Sequence, residues 1–194
     1  MLTKENFVNS TVIFGFLLED LDRVIFDRRS LPKLKYIKKN GNFELTNTPI
    51  LLEEIKKKQI YFYTYKFVRN LIFLITNEFD YKKSTCFEEN KKEIFKYFIN
   101  TIVNNSKKFN QKVIFVTFNF KNDVINPNWR YPFVKLYLME NNFNHIDATH
   151  IIRKNLKFDN SNLSDFYNQE DFHLSKKGFK IIKDEIDKFI ELYK

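Results

Sequence analysis

Two uninterrupted apolar runs set the terms on which this chain can fold. Thr11-Val-Ile-Phe-Gly-Phe-Leu-Leu18 ends in Glu19-Asp20, and Lys112-Val-Ile-Phe-Val-Thr-Phe118 ends in a polar loop. Both are short and neither alternates with polar residues, so each fits a strand buried on both faces. Helical patterns surround them. Ile50 to Lys58 follows Pro49, and Tyr65 to Phe79 is apolar at 68, 71, 72, 75 and 79. A third helix is predicted from Glu88 to about Asn104, with Ile94, Phe95, Phe98 and Ile102 on its inner face. Asn128 to Asn141 reads as a helix with Pro132 near its first turn, where proline is tolerated. Phe143 to Asp147 is predicted as a short strand, Ala148 to Asn155 as a short helix, and Asp159 to Gln169 as a polar loop. Ser175 caps a last helix whose positions 179, 182, 186, 189 and 193 form one apolar stripe. Buried strands alternating with helices imply an α/β fold with a mainly parallel sheet. Ligands of such sheets bind at the C-terminal ends of the strands, where Glu19, Asp20 and the loop after Phe118 sit.

With 194 residues the chain is expected to form one domain over 1–194. A hydrophobic fraction of 43% that is rich in Phe and Tyr is enough for a bulky core. Only three glycines and four prolines are present, so most turns fall to Asn, Asp, Ser and Lys. One glycine is informative: Lys33 to Lys38 and Asn42 to Thr46 alternate on either side of Asn40-Gly41, a hairpin signal over about 33–47.

The net charge of +9 is spread along the chain and interleaved with acids, so no specific nucleic-acid partner is expected. A basic nucleic-acid-binding α/β protein is the weakest of three functional alternatives. Cys86 is alone, which excludes an intrachain disulfide. The most apolar window, Tyr61 to Thr76, is too short to span a bilayer and carries Lys66 and Arg69. As written the chain therefore reads as soluble and cytoplasmic, with no membrane span.

The chemistry is concentrated near the C-terminus, in Glu170-Asp-Phe-His-Leu-Ser-Lys-Lys-Gly178. A histidine acts as a general base when a carboxylate fixes its tautomer and orientation. Asp171, two residues before His173, can fold back to the far ring nitrogen, and Gly178 falls where a side chain would crowd a neighbouring strand. His145, Asp147 and His150 cluster at a strand end but lack the further ligands that a metal site needs. They are read as strand-end polar residues, and neither a metal nor a cofactor is expected. Trp129, Arg130 and Tyr131 are read as docking their helix onto the core.

The string Asp171-x-His173-Leu-Ser-x-x-Gly178 ahead of an amphipathic helix resembles the last motif block of SGNH/GDSL-type hydrolases. There an aspartate and a histidine belong to a Ser-His-Asp triad. Members space the pair as Asp-x-His or Asp-x-x-His; Asp171 matches the first form, and Glu170 stands in the acid position of the second. Val12 to Arg23 is similar to the family's central strand and following loop, where many members carry Gly-x-Asn-Asp. The hairpin, ending in Asn47-Thr-Pro49, resembles an insertion of one bacterial branch. The resemblance covers nearly the whole chain, although only its C-terminal block is specific.

The resemblance implies a three-layer, flavodoxin-like α/β/α fold and hydrolysis of a small-molecule or glycan acyl ester, with His173 as base and Asp171 orienting it. The departures limit that activity. The chain has no Gly-Asp-Ser nucleophile block and no glycine before Gly15, and the oxyanion-loop positions carry Glu19 and Asp20. A carboxylate there repels a developing oxyanion. No serine of the chain has an elbow-like setting, so the nucleophile is unknown and the chain is expected to be weak or inactive. The alternative is a non-catalytic binding or scaffold domain derived from such a hydrolase. Relative to the family the first strands are missing, and an N-terminal signal or anchor could have been lost with them, which leaves the compartment open. The strand at Thr11 to Leu18 then becomes an edge through which the chain is expected to self-associate.

Overall fold

The computed structural model describes residues 8–23, 35–46, 67–68, 71–72, 85–158, 162–168 and 173–192. By its contacts the chain divides into two compact units, residues 1–20 with 100–194, and residues 21–99.

The first unit is built on a parallel three-stranded sheet in the order β1 (Thr11–Leu17), β4 (Lys112–Phe118), β5 (His145–Asp147). β1 and β4 pair one to one from Thr11 with Lys112 to Leu17 with Phe118, and Phe115 to Thr117 pair with β5. The mixed α/β class with a parallel sheet is thus as the two apolar runs imply. β4 occupies the whole predicted run, with Ile114, Phe115, Val116 and Thr117 buried.

Alternate residues of β4 face opposite sides. On one side Ile114, Val116 and Ile146 pack with Ile152 of α5 (Ala148–Phe158), Phe166 of α6 (Leu163–Phe166) and Ile182 of α7 (Lys176–Leu192). On the other, Phe115 meets Phe14 edge-on at 6.2 Å and Phe143 at 6.0 Å. Phe143 in turn touches Tyr137 of α4 (Arg130–Glu140), so helices cover both faces. The short helices α1 (Asp20–Arg23) and α3 (Lys121–Ile125) follow β1 and β4.

The second unit contains the predicted hairpin, β2 (Lys35–Lys39) with β3 (Asn42–Thr46). Asn40 and Gly41 both have positive φ, 50° and 81°, as the tight turn with matching twist requires. The hairpin rests on α2 (Thr85–Lys108), with Tyr36 against Phe98 at 4.6 Å and Lys38 on Glu93 at 2.7 Å. Lys91 of α2 is buried and pairs with Asp22 at 2.6 Å. Burial draws the Lys91 pKa below its ordinary value, and Glu88 opposes that shift.

Three expectations change. β1 pairs on one side only among the described residues, as expected of an edge, but it is not buried on both faces, since Ile13 is 45% exposed. Asp159 to Gln169 is not wholly loop, because α6 forms within it on a reciprocal capping box between Asn162 and Asp165. α7 buries Gly178 and Ile182, four residues apart, which turns Phe179 outward to 57% exposure. The predicted helix at 50–58 lies outside the described residues, and within 65–79 only 67–68 and 71–72 are described, as helix. No helix among the described residues is long and apolar enough to cross a membrane.

With so few glycines, asparagine closes the helices. α4 ends in a Schellman motif: Phe143 N donates to Leu138 O at 2.9 Å and Asn142 N to Met139 O at 3.0 Å, with Asn142 at φ 53°. α2 ends the same way, through Gln111 to Ser106 and Asn110 to Lys107, with Asn110 at φ 50°. A left-handed residue bearing a branched side chain is strained by about 1–2 kcal/mol. Asn142→Val is therefore expected to lower the melting temperature, and Asn142→Gly to hold or raise it, in a calorimetric comparison.

Candidate functional site

The C-terminal ends of β1 and β4 open onto a cleft of about 140 Å³. Its floor is Leu17, Phe118 and Asn119, and its walls are Tyr167, His173, Leu174 and Phe179. The lining is mostly apolar, with the His173 imidazole as its titratable group apart from the Tyr167 phenol. The sheet edge expected to carry a ligand site is the one at which His173 lies.

Local interactions hold the segment from His173 to Ser175 in place. Tyr167 and Leu174 form an isolated antiparallel bridge, and Asn168 N donates to His173 O at 2.8 Å. Ser175 N donates to Phe166 O at 2.9 Å, while the Ser175 hydroxyl donates to Asp165 O and accepts from Gly178 N at 3.2 Å. Ser175 is thus the N-cap of α7, and its hydroxyl is occupied in that role. Gly178 is required by close approach: a Cβ there would lie 2.4 Å from Phe166 O and 3.0 Å from a Leu174 methyl carbon. The neighbour that would be crowded is therefore the backbone of α6, not a strand as anticipated.

The cleft floor is tied down by a buried polar network that the sequence does not signal. Asn119 follows β4 directly; its side-chain amide donates to Thr149 Oγ1 at 2.9 Å, and its carbonyl accepts from Tyr167 OH at 3.0 Å. Burial raises the Tyr167 pKa above its ordinary value, and the charge of Asp123 adds to the effect. The phenol therefore stays protonated and remains a donor. The Phe120 ring meets His173 edge-on at 6.2 Å. Phe179, expected on the buried stripe, instead stands at the mouth beside His173.

Asp171 lies outside the described residues, as does Glu170. Glu19 and Asp20 are half-buried at the end of β1 and are not among the cleft-lining residues. The Glu19 charge acts on Arg130, which is buried at the start of α4. Burial pulls the Arg130 pKa down and Glu19 opposes that shift. Glu19 is thus a counter-charge, a role opposite to that of an oxyanion donor. Ser10 lies at the N-terminal edge of the sheet, away from His173, while Ser30, Ser84 and Ser161 lie outside the described residues. Ser106 is buried in α2, and Ser164 is in α6.

A larger hollow of about 430 Å³ runs beside β5, past His145, Asp147, His150 and Glu185. Size alone does not make it the better site, because Asp147 and the His145 ring are already committed. Asp147 accepts from Tyr131 OH at 2.7 Å and from His150 N at 3.0 Å, which makes it the N-cap of α5. Lys135 approaches the same carboxylate at 3.5 Å. His145 Nε2 is 2.8 Å from Thr117 Oγ1. Tyr131 and the Arg130 guanidinium, which lies over the Trp129 ring at 5.5 Å, pack α4 in place as the sequence suggests. Among the described residues no three His, Cys, Asp or Glu side chains gather as a metal site.

No family model matches the chain, and neither the curated proteins nor the solved structures contain a significant match.

Two outcomes follow from this geometry. Gly178→Ala drives a methyl group into the α6 backbone and is expected to cost about 1–3 kcal/mol, read as a lower denaturation midpoint. For His145, burial lowers the folded-state pKa below the ordinary 6.5, Asp147 opposes that shift and Lys135 adds to it. The unfolded chain then takes up this proton at higher pH than the folded one. Stability should fall as pH drops through 6.5 towards the lower folded-state value, and level off below it. His145→Gln, which keeps a polar neighbour for Thr117, should flatten that limb in denaturant titrations across pH.

Proposed function

We propose that this chain is an SGNH/GDSL-type hydrolase-like domain that retains the base side of an acyl-hydrolase site and hydrolyses esters weakly or not at all. One observation carries the reading. His173 stands in a capped loop just ahead of the last helix, in a cleft at the C-terminal ends of adjacent parallel strands. The finer fold assignment, three-layer and flavodoxin-like, belongs to the same proposal; helices on both faces of the sheet support it.

In a complete site a hydroxyl oxygen attacks the ester carbonyl, and His173 takes the hydroxyl proton. His173 then returns that proton to the departing alkoxide, while Asp171 holds the ring and stabilises its charged form. The apolar walls, Leu174 and Phe179, suit the acyl portion of a small-molecule or glycan ester. Two features work against turnover. The Ser175 hydroxyl, nearest in sequence to the base, is committed to its cap. Glu19, at the position the resemblance gives to an oxyanion donor, lies outside the cleft lining and offers a carboxylate in place of a donor.

The electrostatic influence of Glu19 on buried Arg130 favours a second reading, a binding or scaffold domain on the same framework, in which a carboxylate serves as a counter-charge where donors would be needed.

The purified chain is expected to release nitrophenol from short-chain nitrophenyl esters at the spontaneous rate, with no change in His173→Ala. Turnover that disappears in His173→Ala would reveal a competent nucleophile and overturn the claim of incompleteness. The base assignment has its own measurement. Imidazole ¹⁵N spectra should show one fixed His173 tautomer, redistributed in Asp171→Asn. A tautomer balance indifferent to that substitution would remove Asp171 from the site and favour the binding reading.

A further inference from the structure

We propose that β1 is the interface of a two-fold homodimer, in which the β1 strands of two copies pair antiparallel about Phe14 and join their sheets into one. The backbone geometry sets the argument. Leu18 N donates to Phe118 O at 3.0 Å, and Ser10 O accepts from Lys112 N at 3.0 Å. Even-numbered residues of this strand therefore direct their N–H and C=O groups towards β4. By alternation Thr11, Ile13, Gly15 and Leu17 direct theirs to the opposite edge, which carries no strand among the described residues.

A row of outward peptide groups calls for another strand, and β1 itself meets the requirement. In an antiparallel pair, residues with outward groups must face one another. Centring the axis on Phe14 does this at every position: Thr11 faces Leu17, Ile13 faces Gly15, and the reverse, for about eight hydrogen bonds. The side chains agree with the register. Ile13, 45% exposed, falls opposite Gly15, whose missing side chain leaves room for it. Val12 falls opposite Phe16, and the two Phe14 rings meet at the axis, where cross-strand aromatic and branched pairs stabilise a sheet.

The strand also lacks the devices that keep edges apart. Thr11 to Leu17 contains no charge and no proline, and its register with β4 has no bulge. The opposite edge of the sheet is different: β5 is three residues long and carries His145 and Asp147. At the ends of the proposed pair, Glu19 and Asp20 would face Asn9 and Val8, so no like charges meet.

Sedimentation of the full chain should give a discrete dimer. Ile13→Lys, a change at an exposed position, should yield a monomer that still melts cooperatively. Should that variant fail to fold, a cysteine pair decides the register. Cys86→Ser with Phe14→Cys should form a disulfide-linked dimer, because facing positions at the axis come within about 4.5–5.5 Å. Cys86→Ser with Thr11→Cys, which faces Leu17, should not. Three results would each overturn the proposal: a wild-type monomer in which the Ile13 and Gly15 amides resist hydrogen exchange, a dimer indifferent to Ile13→Lys together with no cross-link at position 14, or open-ended aggregates.

Discussion

β4 is hydrogen-bonded along both edges and buried on both faces, and the rest of the first unit takes its position from that strand. A peptide group deprived of water must find a partner, so a strand in this position cannot shift without breaking two ladders at once. Its two faces also differ in kind. One contributes Ile114 and Val116 to an aliphatic core, and the other holds Phe115 among aromatic rings and Thr117 on His145. Where the strand ends, Asn119 binds Thr149 by its side chain and Tyr167 by its carbonyl. The cleft floor is thereby fixed to the most constrained element of the unit. A side chain in the wall of such a cleft inherits that rigidity without having to create it.

The parts of the molecule legible from residues alone are those whose cause is local. An unbroken apolar run marks β4, an Asn-Gly pair marks the hairpin, and a serine ahead of an amphipathic stretch marks the start of α7. The parts that were not legible depend on distant partners. Apolar content cannot separate a face that is packed from one that is open, so β1 reads as buried like β4 although Ile13 is partly in water. α6 has four residues and buries Phe166, too little for any periodicity to register. The bond from Tyr167 to Asn119 spans 48 residues, and neither residue announces the other. For the site the division is similar. His173 stands out by its immediate neighbours, whereas the cleft it faces is assembled from segments far apart in the chain.

Electrostatics constrains what the end of β1 can offer to a ligand. A guanidinium buried at the start of α4 demands a nearby negative charge, and Glu19 supplies it. The same position would have to present a hydrogen-bond donor for acyl transfer. Under the proposed hydrolase reading one side chain cannot meet both demands, so stabilising α4 and stabilising an oxyanion would compete there.

The pairing of β1 with β4 also has a consequence in time. Ser10 and Gln111, which flank the first paired residues, are 101 residues apart in the chain. At about 5–20 residues per second of synthesis, β1 waits about 5–20 s for its only partner within the described sheet. Throughout that interval an uncharged seven-residue strand is without its neighbour in the described sheet. Contacts this distant also slow folding after release, because the loop must close before the ladder can form. On the ribosome, then, the inner edge of β1 is satisfied only when β4 emerges.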